Sequence, residues 1–376
     1  MWKAAIEDAV QKVQRNIAQF DGRYPHVGEG KKYALIGNDD WTNGFWSGML
    51  WLSYEYTGDP QLREAARHTV ESFRRRMEED TVLDHHDIGF LYSLSAKAQW
   101  IIERDEEARR LTLRAADKLM ERWREQGGYL QAWGRKDDAA ENGRIIIDCL
   151  LNLPLLYWAS EQTGNPAYRK AAELQAYKSR RYLVRGDDSS YHTFFFNPET
   201  GEPIGGATHQ GYTNGSTWAR GQAWGIYGFA LSFRYTGDPA FLETAKRMAL
   251  YFVQHLPADH VAYWDFALPP EMEQPYRDSS ASAIAAAGLA ELLGHLKEED
   301  PEYAYLQEGL NQSMESLVRN YSTTGDDSAE GLLRHGSYHV RGGLAPDEYM
   351  IWGDYFYLEA LLRLERGIGG YWYERE

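Results

Sequence analysis

The chain is almost without cysteine. Cys149 is the only one in 376 residues, so no internal disulfide can form and a reducing compartment fits. Basic excess is also missing: the formal net charge of −16 excludes the broad cationic surface that nucleic-acid binding requires. No run of about eighteen apolar residues is present to span a bilayer. The first twenty residues, MWKAAIEDAVQKVQRNIAQF, set acids and bases at helical spacing where a signal peptide would need an unbroken apolar stretch. Neither a P-loop nor a dinucleotide fingerprint occurs. His335 and His339 lie among glycines, and the adjacent His85 and His86 should diverge, so neither pair makes a convincing metal site. These absences lead us to expect a cytoplasmic protein without cofactor or metal. They also predict no nucleic-acid or membrane partner and a monomer or weak homo-oligomer.

What is abundant is aromatic surface. Thirteen Trp and 26 Tyr exceed the needs of one ordinary core, while hydrophobic residues at 43% suffice for a large one. Flat rings suit the apolar faces of sugars, although a large aromatic core would explain any single Trp equally well. A net negative charge would mildly repel an anionic substrate, but salt screens that field over roughly 8–10 Å, leaving a few local cations to dominate a pocket.

The organisation is repetitive. The tetrapeptide Thr-Gly-Asp/Asn-Pro starts at Thr57, Thr163 and Thr236, each time after an aromatic-rich apolar segment and before a more charged one. Gly ends one helix and Pro begins the next, so each copy predicts a helical hairpin. Apolar segments from Asp87, Asp278 and Asp354 follow the same plan without the tetrapeptide. Six apolar helices are therefore expected to start near residues 41, 87, 148, 220, 278 and 354, with amphipathic partners between them. Helices apolar all round must be buried, which predicts an all-α, α/α six-hairpin toroid of six inner and six outer helices, a single catalytic domain over 1–376. An open solenoid is the alternative.

In such a ring the inner helices all begin at one end, and their starts are polar or aromatic: Asp40-Trp41, His86-Asp87, Asp148, Arg220, Asp278 and Asp354. Asp278 and Asp354 are expected to be ordinary helix caps. Asp148 differs, because RIIIDCLLNLPLLYW surrounds it with apolar residues, and a carboxylate there must be paired, protonated or used. Asp87 enters another inner helix, and two carboxylates facing one cavity are the minimum for glycoside chemistry. Cys149 reads as a small core residue. A glycine-rich connection from Arg185, about thirty residues without a convincing helix, offers His192, His209, Gln210, Arg220 and Trp224. A second, from Gly331, brings His339, Arg341 and Trp352 toward the same rim.

Several long stretches resemble unsaturated glucuronyl hydrolases, glycoside hydrolase family 88: WTNGFWSGMLW from Trp41, HHDIGFLYSLSAKAQW from His85, RIIIDCLLNLPLLYWA from Arg144, RGDDSSYHTF from Arg185 and STWARGQAWGIYGFA from Ser216. YRDSSASAIA from Tyr276 and GSYHVRGG from Gly336 continue the likeness to the final YWYERE. One departure is Asn43, where the family pattern has Asp. The resemblance implies the six-hairpin fold, no cofactor, and substrates that carry a non-reducing uronate with a C4–C5 double bond. It places the catalytic Asp on Asp148 and the second active-site Asp on Asp87. Substrate contacts fall on Trp41, His86, Trp133, His192, Gln210, Arg220 and Trp224. It implies hydration of a vinyl ether with Asp148 as general acid/base, and Arg220 with Gln210 on the substrate carboxylate. The alternatives are an unsaturated rhamnogalacturonyl hydrolase, an inverting glycosidase on the same toroid, or a non-catalytic sugar-binding protein.

Overall fold

A computed structural model describes residues 1–375. In chain order its helices are α1 (Trp2–Phe20), α2 (Asn43–Thr57), α3 (Pro60–Glu78), α4 (Ile88–Ser93), α5 (Ala96–Glu103), α6 (Glu106–Met120) and α7 (Leu153–Thr163). They continue with α8 (Pro166–Tyr182), α9 (Ala219–Thr236), α10 (Pro239–Gln254), α11 (Ser279–Leu293), α12 (Tyr303–Ser316) and α13 (Ile351–Arg366).

The repeated tetrapeptide sets three of the turns. Gly58, Gly164 and Gly237 stop α2, α7 and α9 at φ of 72°, 71° and 70°, a region where a side chain would be strained. The next residue, Asp59, Asn165 or Asp238, turns extended, and its side chain accepts a bond from the N–H of Gln61, Ala167 or Ala240 at 2.8, 3.0 and 2.8 Å. Proline then fills the first helical position, where its missing N–H costs nothing. One short sequence thus ends a helix and caps its successor.

The segments α2, α4–α5, α7, α9, α11 and α13 are buried almost all round, whereas α3 buries Leu62, Ala66, Val70, Phe73 and Met77 along one stripe and turns charges outward. Neighbouring inner helices pack in sequence, α2 on α4, α4 on α7, α7 on α9, α9 on α11 and α11 on α13, and α13 returns to α2. Helix α1 sits outside α13 and completes the outer layer. The molecule is an α/α six-hairpin toroid, with inner helices starting near the expected residues. Among the described residues no helix is long and apolar enough to cross a membrane.

Three expectations are corrected. The second inner helix is broken between α4 and α5, where Ser95 leaves helical geometry and its hydroxyl donates to the Leu91 carbonyl at 2.6 Å. The connection after Arg185 contains strands: β6 (Thr193–Phe196) lies between β5 (Arg144–Ile146) and β7 (Pro203–Ala207), after two small hairpins, β1 (Tyr24–Glu29) with β2 (Lys32–Ile36) and β3 (Trp123–Arg124) with β4 (Tyr129–Leu130). The sequence does not announce these strands, because TFFF lacks alternation and PIGGA is glycine-rich. Asp278 does cap α11, but Asp354 lies inside the first turn of α13. Its carboxylate instead accepts bonds from Tyr33 Oη and from the Leu332 and Leu333 N–H groups, at 2.6, 2.7 and 2.9 Å, tethering the loop above.

Candidate active site

A cavity of ≈470 Å³ opens at the end of the ring where the inner helices begin. Asp87, Asp148, His86, Trp41, Trp133 and Gln210 line it, together with Glu141, Arg144, His209, Tyr338, His339 and Leu344. A slightly larger hollow of ≈530 Å³ lies between α1, α2 and α3, but its carboxylates, Asp21 and Glu64, are exposed and nothing there pairs them.

Backbone geometry brings the two aspartates together. Asp148 falls in a 3₁₀ turn, Ile147–Leu151, between β5 and α7, because β5 must bend before Pro154 permits a regular helix. The Ile147 N–H donates to the His192 carbonyl at 3.1 Å, fixing that bend. Asp87 stands at the N-cap of α4, beside a bond from the His86 N–H to the Ala132 carbonyl at 2.8 Å that brings Trp133 alongside. The adjacent histidines do not diverge as expected: His85 Nδ1 and His86 Nε2 each lie 3.4 Å from an Asp87 oxygen. They converge because the Asp87 N–H donates back to His85 Nδ1 at 3.1 Å and folds that ring over.

These surroundings split the two carboxyls. Asp148 opens onto the cavity, yet protein encloses it so fully that burial, with help from the negative Asp87, raises its pKa to about 8. Arg220 opposes this shift only in part. Asp148 Oδ1 has no hydrogen-bond partner among the described residues. For Asp87, burial acts upward too, but His86, His85 and the Asn152 carboxamide outweigh it and hold the group below the usual carboxylate range. Burial takes His86 down to about 4, so its ring is neutral at pH 7, and Nδ1 has no hydrogen-bond partner among the described residues.

The walls are aromatic, with a single arginine, Arg144, among the lining residues. Trp41 is set by Asp40, whose carboxylate accepts from the Thr42 N–H and hydroxyl at 3.0 and 2.8 Å, and its indole N–H donates to Tyr338 Oη at 3.3 Å. Asn43 supports the same turn by accepting from the Asp40 N–H at 2.8 Å and from Arg76 at 3.2 Å, so the departure from the family pattern lies behind the wall. Arg144 pairs with Glu141 at 2.9 Å, and its guanidinium lies 5.0 Å from the Trp133 ring and 4.8 Å from that of Phe195. Gln210 donates to the Tyr338 carbonyl at 2.9 Å.

His192, Arg220 and Trp224 do not reach the cavity surface. His192 Nδ1 accepts from the His209 and Gln210 N–H groups at 3.2 Å each, so it shapes the loop that carries Gln210. Arg220 is buried against Asp278 at 2.6 Å and donates to the Ser337 and Tyr338 carbonyls, locking the second rim loop from behind. Trp224 packs beneath, 5.3 Å from both Phe90 and Phe356. Of the other rim candidates, His209 and His339 line the cavity with rings 4.8 Å apart, while Trp352 is buried behind Trp41. Glu141, Arg144, Tyr338 and Leu344 were missed. For Arg144 the signal was available: a charge heading the apolar run that ends in Asp148.

A helical toroid whose inner helices present two carboxyls of opposite protonation to one aromatic-walled cavity defines a carbohydrate-processing enzyme of the acid–base type. The sequence profile of Glycosyl Hydrolase Family 88 matches residues 16–355, and the chain belongs to that family. It is 62% identical, over the full length of both chains, to the unsaturated glucuronyl hydrolase of Bacillus sp. strain GL1. A crystal structure of unsaturated glucuronyl hydrolase from Bacillus sp. GL1, described as responsible for the degradation of glycosaminoglycan, superposes with a TM-score of 0.98 at 62% identity, covering all of both chains. The unsaturated chondroitin disaccharide hydrolase of Streptococcus pyogenes serotype M1 is 43% identical across 98% of this chain and 92% of its own.

Proposed function

We propose that this enzyme releases the non-reducing-end unsaturated glucuronic acid from oligosaccharides left by polysaccharide lyases, of the chondroitin, hyaluronan or gellan kind, by hydrating its vinyl ether. The observation that carries the reading is the protonation split: Asp148, with a pKa of about 8, holds a proton at neutral pH while Asp87 beside it is ionised. The names of the relatives supply the substrate class.

The chemistry uses each group. Asp148 gives its proton to C4, and positive charge develops at C5, shared with the ring oxygen. Asp87, held negative, stabilises that charge. Water adds at C5 and loses a proton to the Asp148 carboxylate, which restores the acid. The hemiketal then opens to a ketone at C5 and a hemiacetal at C1, which expels the next sugar. Arg144 faces the substrate carboxylate with Arg220 adding its field from behind, Trp41 and Trp133 flank the ring, and His86 Nδ1 accepts from a sugar hydroxyl. The cytoplasm, where Cys149 stays a thiol, is the proposed setting.

Incubation with unsaturated disaccharides from chondroitin, hyaluronan, gellan and pectin tests the proposal, because hydration removes the ultraviolet absorbance of the double bond. In heavy water a single deuterium should appear at C4 of the released uronate, in one stereochemical position at low conversion. Turnover of pectin fragments alone would move the enzyme to the rhamnogalacturonyl class. An unlabelled C4 would replace vinyl-ether hydration with cleavage at the anomeric carbon.

A further inference from the structure

Asn152 occupies the N-cap of α7, yet its side chain makes no bond within that helix. The second helical residue, Pro154, has no N–H to give it. The carboxamide reaches instead across to the neighbouring inner helix, where Oδ1 accepts the Phe90 N–H at 2.8 Å. Phe90 is the third residue of α4, and its N–H is the one an N-cap aspartate ordinarily takes. Asp87 holds that N-cap, but its own carboxylate makes no capping bond. The Nδ2 group of Asn152 donates to the Asp148 carbonyl at 3.3 Å, and the carboxamide stands close enough to the Asp87 carboxylate to help hold its pKa down. The two segments approach so closely that a Cβ on Gly89 would stand 2.4 Å from Asn152 Cα, so the contact requires glycine there.

We propose that Asn152 is a positioning residue: it caps α4 in place of Asp87, which leaves the Asp87 carboxylate free for the cavity, and ties that carboxylate to the turn that carries Asp148. The inference rests on the reading of the two aspartates as an acid–base pair. Without the carboxamide oxygen, the Phe90 N–H is orphaned, and the Asp87 carboxylate, at the N-cap three residues before it, is placed to accept it. The carboxylate then turns back onto its own helix, and its negative charge withdraws from Asp148. The other groups facing Asp87 are His85, His86, Arg122, Cys149 and Tyr338, and Arg220 also faces Asp148; the substitution leaves all of these in place.

The test is the pH dependence of kcat/KM on an unsaturated chondroitin disaccharide for Asn152→Ala and Asn152→Asp. Asn152→Ala should lower kcat about 10-fold to 100-fold with a smaller change in KM, and move the alkaline limb down by about one pH unit. Asn152→Asp keeps the acceptor for Phe90 but sets a second negative charge beside Asp87, so its acidic limb should move up by a similar amount. A variant whose kcat falls while both limbs stay in place is merely damaged in structure, and that result overturns the proposal. Where Asn152→Ala does not fold, the isosteric Asn152→Asp decides alone, and an unmoved acidic limb refutes the assignment. Failure of the underlying reading is distinguishable, since it would appear as full turnover in Asp148→Asn.

Discussion

At the scale of single residues, the cavity works because two identical side chains meet different neighbours. Asp148 must carry a proton to react, so kcat/KM should fall as pH rises through its pKa of about 8. Asp87 must be ionised, and because its neighbours hold it below the usual carboxylate range, the acidic limb should lie below about pH 4. A pH profile on an unsaturated disaccharide reads both limbs. Asp148→Asn keeps the shape but cannot exchange the proton, so turnover should drop by about 10²–10⁴ with binding retained; a variant with a tenth of normal turnover removes Asp148 from the role. Asp148 was legible in the sequence as a carboxylate inside an apolar run. Asn152 was not, because an asparagine before Leu-Pro reads as a plain cap, and only the fold shows whose helix it caps.

At the scale of elements, what a side chain does depends on which way its helix turns it. The sequence placed Arg220 at the start of an inner helix beside the pocket, but could not show that Asp278 and two carbonyls hold it behind the wall. Arg144 was overlooked because β5 is only three residues long, and its pairing partner β6 lies in a segment read as loop. The Thr-Gly-Asp/Asn-Pro turns were legible because they obey local chemistry alone. The two arginines should therefore respond differently to removal. Arg220→Ala leaves Asp278 buried without its cation, which costs about 3–5 kcal/mol and should lower Tm by roughly 4–6 °C. Arg144→Ala, half-buried on the cavity wall, should leave Tm nearly unchanged and raise KM by about 10-fold to 100-fold, the worth of a charge-assisted bond of roughly 1.5–3 kcal/mol. Melting curves and steady-state kinetics on the two variants separate the roles. An Arg220→Ala protein with normal Tm and a raised KM would restore Arg220 as the direct clamp.

At the scale of the whole molecule, the ring must stay rigid for the two aspartates to keep their spacing, and the C-terminal tail supplies much of that rigidity. Near its C-terminal end, each inner helix or its adjoining turn offers a polar group to residues 371–375. Tyr371 donates to Glu55 at 3.0 Å, Glu374 accepts from the indoles of Trp100 and Trp158 at 2.6 and 2.8 Å, the Trp372 carbonyl accepts from Tyr235 at 2.7 Å, and Tyr373 donates to Glu291 at 3.0 Å. Trp372 itself enters the lumen, stacked 6.0 Å from Phe356 and edge-on to Phe90 at 6.1 Å, while its N–H donates to Glu359 on α13. Phe90 in turn packs against Trp41 and Trp224, so a column of rings runs from the tail to the floor of the cavity. Trp372→Ala would open that column from below. Deleting a fully buried indole costs about 3–5 kcal/mol, partly because the surrounding helices cannot collapse into the gap. Tm should fall by roughly 4–6 °C. The hole left has the shape of the missing ring and keeps the Glu359 acceptor, so free indole should bind there and recover part of the lost Tm in proportion to its concentration. Differential scanning calorimetry with and without indole measures both effects. A Trp372→Ala protein that melts normally would show that the tail is an ornament on a ring already held by its helices. A destabilised protein that ignores indole would show that the lumen collapses, contrary to a column held open on all sides by the six inner helices.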